Sequence, residues 1–207
     1  MTDAETKNRI QSILGRMQKI FSDRSSISRQ DFIKKNGLTT GIDYSFSLTG
    51  AEIVGNRDIS DLVCGCTGLT KVFCHLAKDS GLDLSVVLTA NYQDWEKAKL
   101  RQTGNSKPEG INGHQIMAVR LSDGKLHAFD LRSPLKLIDG DVKAGNFINP
   151  SHFIAAILEP AEYEKVNTYQ DIQNLYASGN RNNPRFSIRP ARRLPAAALL
   201  KAKAQRG

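Results

Sequence analysis

The chain has 207 residues, 40% of them hydrophobic and 24% charged, with a formal net charge of +8 and three cysteines. That length and composition suit one globular core with appendages. An odd and small number of cysteines is a poor basis for a disulfide framework, so it argues for a reducing compartment and leaves thiol chemistry available.

The first twenty residues, "MTDAETKNRIQSILGRMQKI", carry charges throughout and hold no continuous apolar run. No Sec-type signal is read there, and no later stretch approaches the roughly twenty apolar residues of a membrane span. Ile10, Ile13, Leu14, Met17, Ile20 and Phe21 recur at helical spacing, which predicts an amphipathic helix over residues 4–21 with Asp3 as its cap. A shorter helix is expected after Ser28. Residues 37–63 are rich in Gly, Ser and Thr and read as loop with short extended pieces.

A helix is expected over 66–80, a buried strand over "LSVVLTA" (84–90), a surface helix over 92–102 and a loop over 104–113. "HQIMAVRL" (114–121) and "KLHAFDLR" (125–132) are strand-like and joined by Ser-Asp-Gly, a hairpin signal. Further helices are expected over 151–158 and 168–177. Helix first, then strands, then helices describes an α+β domain. From Arg181 onward there are eight basic residues and no Asp or Glu, which leaves 21 basic against 21 acidic residues in 1–180. With Pro184, Pro190 and Pro195 interrupting it, 181–207 reads as an extended basic arm, either solvated or in contact with an acidic protein or anionic surface. A single aromatic residue, Phe186, does not amount to the interleaving that stacks on bases, which argues against a nucleic-acid partner.

The cysteines lie in "CGCTGLTKVFCHLAKDSGL", residues 64–82. At 100° per residue from Cys66, the residues Leu69, Thr70, Phe73, Leu76, Ala77 and Ser80 fall within about 80°, whereas Lys71, His75, Lys78 and Asp79 fall opposite. Cys66 therefore points inward at the first turn, where the positive end of the helix favours thiolate. Gly65 before it permits close approach of a substrate backbone. Cys74 lies on the flank of the apolar face and Cys64 precedes the helix. A zinc site would need Cys64, Cys66, Cys74 and His75, yet Cys74 and His75 splay by about 100°. A redox pair would want C-x-x-C rather than C-x-C, and a small apolar core cysteine is the plainest alternative.

The hairpin offers a base. With Gly124 in a left-handed position, Leu121 pairs with Lys125 and Asp130 lies opposite Ile116, which makes His114 and Asp130 diagonal neighbours, roughly 7–8 Å apart at the backbone. Met117, Val119, Leu121, Phe129 and Leu131 form the other, core face. A carboxylate on one ring nitrogen would orient the imidazole and leave the other nitrogen for a thiol. His127 faces the core side, His75 the solvent, and His152 is placed near a helix start.

"GCTGLTKVFCHLAKDSGL" resembles the nucleophile segment of the transglutaminase-like superfamily, and "GHQIMAVRLSDGKLHAFD" is similar to its His and Asp signature, together spanning roughly residues 60–132. The resemblance implies a papain-like fold with Cys66 as nucleophile, His114 as general base and acid, and Asp130 as orienter. It departs from the family at Thr70, Gln115, Ile116 and Leu131-Arg132. On this reading 1–36 is an N-terminal helical segment, 37–180 the transglutaminase-like core and 181–207 the arm.

The implied activity is attack on a peptide, amide or glutaminyl carbonyl through a thioester, with no metal and no organic cofactor. Hydrolysis of a protein or peptide substrate ranks before deamidation or transglutamination, and an idle protein-binding module on the same fold is the rival. The backbone N–H of Cys66 is expected to supply one oxyanion donor, with Gln30, Asn91 and Trp95 as conjectures for the second. A cytoplasmic location, or delivery by a non-Sec secretion system as a bacterial effector, fits the same features.

Overall fold

The computed structural model describes residues 1–24, 28–37, 46–101, 107–131, 137–141 and 151–179. The basic arm expected over 181–207 lies outside these residues. The chain begins with helix α1 (Asp3–Ser22), whose cap is Thr2 and not Asp3. The Thr2 hydroxyl accepts from the Glu5 backbone N–H while the Glu5 carboxylate accepts from that of Thr2, a reciprocal pair that satisfies two otherwise orphaned donors. Asp3 is turned instead to the hairpin, where its carboxylate accepts from the Ser122 N–H at 2.8 Å and from the Ser122 hydroxyl at 2.9 Å. Helix α2 (Arg29–Lys35) follows Ser28, which caps it as expected.

Within 37–63, the described part is helical where extended pieces were expected: α3 (Gly50–Gly55) is set by a capping box between Thr49 and Glu52. Helix α4 (Asp61–Ala77) is two helical pieces joined at Gly65, whose φ of 56° and ψ of −165° are open to glycine at little cost. The second piece therefore begins at Cys66. Lys71, expected in solvent, is 3% exposed. Its ammonium donates to the Phe46 carbonyl at 2.5 Å and the Leu48 carbonyl at 3.0 Å, so a polar head on a long stem closes the helix against the preceding segment.

Strand β1 (Leu84–Asn91) is followed by helix α5 (Tyr92–Arg101), strand β2 (Gly113–Arg120) and strand β3 (Leu126–Phe129), which is shorter than expected. Gly124 sits at φ 73°, and the Leu121 N–H donates to the Lys125 carbonyl, which closes the turn in the expected register. Strand β4 (Leu137–Asp141) pairs with β3. Residues 151–158, expected as helix, form strand β5 (His152–Leu158), antiparallel to β1. A short apolar run reads equally well as buried helix or buried strand. The decision comes from β1, buried from Leu84 to Ala90, whose second edge needs hydrogen-bond partners that only another strand supplies. The described residues end with the short helix α6 (Pro160–Tyr163) and helix α7 (Tyr169–Ser178).

The result is an α+β architecture around a five-stranded antiparallel sheet of order β4-β3-β2-β1-β5. One face carries Met117, Val119, Leu121, Phe129 and Leu131 into the main core with residues of α1, α4 and α7. The opposite face holds a smaller cluster of Val87, Ile116, Ala118, Ala128 and Ile154. No described helix is long and apolar enough to cross a membrane.

Candidate active site

Three elements converge where β2 begins. Helix α4 brings Cys66 at the start of its second piece, β2 brings His114 as its second residue, and Asp130 follows the last residue of β3. Because Met117 pairs with Phe129, the next pair outward sets Asp130 opposite Ile116 and diagonal to His114. The imidazole Nε2 lies 2.9 Å from the Asp130 carboxylate, and the ring also shares a hydrogen bond with Cys66. With Nε2 committed to Asp130, Nδ1 is the nitrogen left for the thiol. The structure thus brings Cys66, His114 and Asp130 into one hydrogen-bonded line.

Burial opposes a charge on His114, yet the hydrogen bonds to Asp130 and Cys66 outweigh it and raise its pKa to about 9. The imidazolium is then the form present at neutral pH. A cation held against a thiol favours thiolate. The other cysteines lie elsewhere: Cys64 is 2% exposed, its thiol directed at the Asp61 carbonyl, and Cys74 is buried with its pKa pushed up to about 12 by that burial. None of the three is in a disulfide. Among the described residues no three His, Cys, Asp or Glu side chains are grouped to hold a metal ion.

The remaining histidines separate cleanly. His75 is exposed, and His127 binds Asp123 at 2.9 Å on the hairpin, away from the thiol. His152 opens β5 and not a helix, and its pKa is lowered by burial and by the neighbouring His114. Its closeness to His114 was not legible in the sequence, because it follows from the pairing of β5 with β1.

A cavity of about 240 Å³ opens beside Cys66, lined by Phe46, Gly65, Thr67, Gly113, Gln115 and Tyr176 among others. Its walls are pinned by polar contacts. Gln173 of α7 clamps the backbone of Ile111, accepting from its N–H at 2.9 Å and donating to its carbonyl at 3.0 Å. Asn112 donates to Asp94 at 2.7 Å, which ties the approach to His114 onto α5. A Cβ on Gly113 would stand 2.3 Å from the Tyr176 ring and 2.5 Å from the Thr89 carbonyl oxygen, so only glycine lets α7 pack there. Gln30, Asn91 and Trp95, the conjectured oxyanion donors, do not line the cavity. Gln30 is exposed on α2, Asn91 caps α5 through the Asp94 N–H, and the Trp95 indole donates to the Ala177 carbonyl.

Comparison with known proteins found no family model, curated protein or solved structure that matches this chain.

Proposed function

We propose that this chain is a thiol-dependent enzyme of the transglutaminase-like, papain-like kind, acting on a peptide or amide carbonyl. The observation that carries the proposal is the continuous line from Cys66 through His114 to Asp130, with the imidazole held protonated to about pH 9. Cys66 Sγ attacks the carbonyl carbon and gives a tetrahedral oxyanion. His114 then passes its proton to the leaving nitrogen as the C–N bond breaks, leaving an acyl thioester and a neutral imidazole. Water attacks the thioester while His114 takes its proton, the C–S bond breaks, and the acid departs as the thiolate–imidazolium pair returns. Asp130 stays ionised throughout and stabilises the imidazolium. An amine in place of water would give transfer, which ranks second, since water is always present.

Alkylation by iodoacetamide tests the reading against an idle binding module. Cys66 should be carbamidomethylated well below pH 8, and His114→Ala should abolish that advantage. A Cys66 that reacts only as fast as an ordinary exposed thiol across pH 5–8 would remove the proposal.

A further inference from the structure

The residue after the nucleophile and the residue after the base are bonded to each other. Thr67 donates its hydroxyl to the Gln115 side-chain carbonyl at 2.9 Å, and the Gln115 amide lies 3.0 Å from the Tyr176 hydroxyl. All three side chains are more than nine-tenths buried, at 6%, 3% and 3% exposure, and all three line the cavity beside Cys66. The two hydroxyls and the amide carry four hydrogens between them, and the two internal bonds use two. Turning the amide over reverses the donors but not the count, so two donor hydrogens remain. The one further group recorded against the trio among the described residues is the buried Tyr163 hydroxyl beside Thr67, which brings one more hydrogen with one more bond and leaves the surplus at two, and a buried donor without an acceptor is costly. Among the described residues the lining also contains no Lys, Arg, Asp, Glu or His, so apart from the Cys66 thiolate a charged group entering it would find no counter-charge.

We infer that this cavity is a specificity subsite that takes an uncharged substituent bearing an oxygen acceptor, next to the reacting carbonyl, and that Gln115 and Tyr176 select it. The inference rests on the thiol reading for its link to turnover, whereas the selection itself can be read at Cys66 whatever its absolute reactivity. Gln115 and Tyr176 are specificity residues here. Thr67 positions the Gln115 amide and thereby ties the nucleophile's helix to the base's strand.

The test uses a pair of iodoacetamides that differ by one atom, N-(2-methoxyethyl) and N-butyl, with labelling at Cys66 followed by mass spectrometry. Each reaction forms an Sγ–C bond and expels iodide. The full-length protein should react about fivefold faster with the ether, the worth of roughly one neutral hydrogen bond. Gln115→Leu and Tyr176→Phe should each bring the ratio to near one, the second being the variant that keeps the ring packed on Gly113. Gln115→Glu should raise labelling by the N-(2-ammonioethyl) analogue at least tenfold relative to the ether. Slow labelling with the preference intact would overturn the enzyme reading and keep the subsite. An ether-to-butyl ratio near one in the unaltered protein, or one unmoved by both Gln115→Leu and Tyr176→Phe, would overturn the subsite. A Cys66 that no probe reaches would overturn both.

Discussion

At the level of single residues, His114 carries the most chemistry. Its pKa of about 9 rests on Asp130 and Cys66 prevailing over burial, so the acid form needed to protonate a leaving amine is lost as pH rises through that value. The kcat/KM profile for a small amide substrate should therefore fall on its alkaline side near pH 9. Asp130→Asn removes the carboxylate that holds the proton, which should move that limb downward towards the ordinary histidine value of about 6.5 and slow turnover by about 10²–10⁴. An alkaline limb that stays put in the Asn variant would show that Asp130 does not stabilise the imidazolium. The trio of Cys66, His114 and Asp130 could be placed from sequence because local rules suffice: a helical register for the thiol, and a three-residue turn with Gly124 for the other two. Thr67, Gln115 and Tyr176 could not, since Gln115 and Tyr176 meet across 61 residues, and nothing near either position announces the other.

At the level of elements, the same contrast separates what pattern decides from what packing decides. The hairpin and α7 carry their own turn and cap signals, Ser122-Asp123-Gly124 and the Thr168–Asp171 capping box. Strand β5 has no such signal and owes its state to the free edge of β1. Lys71 likewise sits where a helical wheel puts solvent, and is buried because the segment around Phe46 folds over it. Lys71→Met would leave the Phe46 and Leu48 carbonyls without their donor and should cost about 1–3 kcal/mol in urea unfolding. Burial holds the Lys71 pKa down to about 8, against the pull of Glu52 and Glu164. Between about 8 and 10.5 the unfolded chain binds this proton and the folded one does not, so the unaltered protein should gain on the Met variant as pH rises through that window. The docking of α7 is equally specific: Gly113→Ala drives a methyl into the Tyr176 ring and the Thr89 carbonyl, and should destabilise by about 1–3 kcal/mol while spoiling the cavity.

For the molecule as a whole, α1 is part of the core. Ile10, Ile13, Leu14 and Met17 are each at most 4% exposed and share one cluster with α4, β2 and α7. Arg24, just past that helix, donates to the carbonyls of Ile53, Val54 and Ile59, and so binds α1 to the segment that leads into α4. At about 1.5–3 kcal/mol for each buried side chain, removing residues 1–24 forfeits an amount comparable to the whole stability of an ordinary domain, about 5–15 kcal/mol. The truncated chain should show no cooperative thermal transition by circular dichroism, whereas a sharp melt would show that α1 is an accessory. The sheet order carries a further consequence, for the sequence of events as the chain is made. Thr67 and Gln115 are 48 residues apart, and Tyr176 comes last of all. Contacts this distant form late, after the cost of closing their loops has been met. A ribosome-bound chain that ends at α4 already carries Cys66 but has neither imidazole to bond it nor walls around it. The thiol stays an ordinary one until the hairpin that carries His114 and Asp130 is made and packs against it, and the walls of its cavity are complete only with the docking of α7.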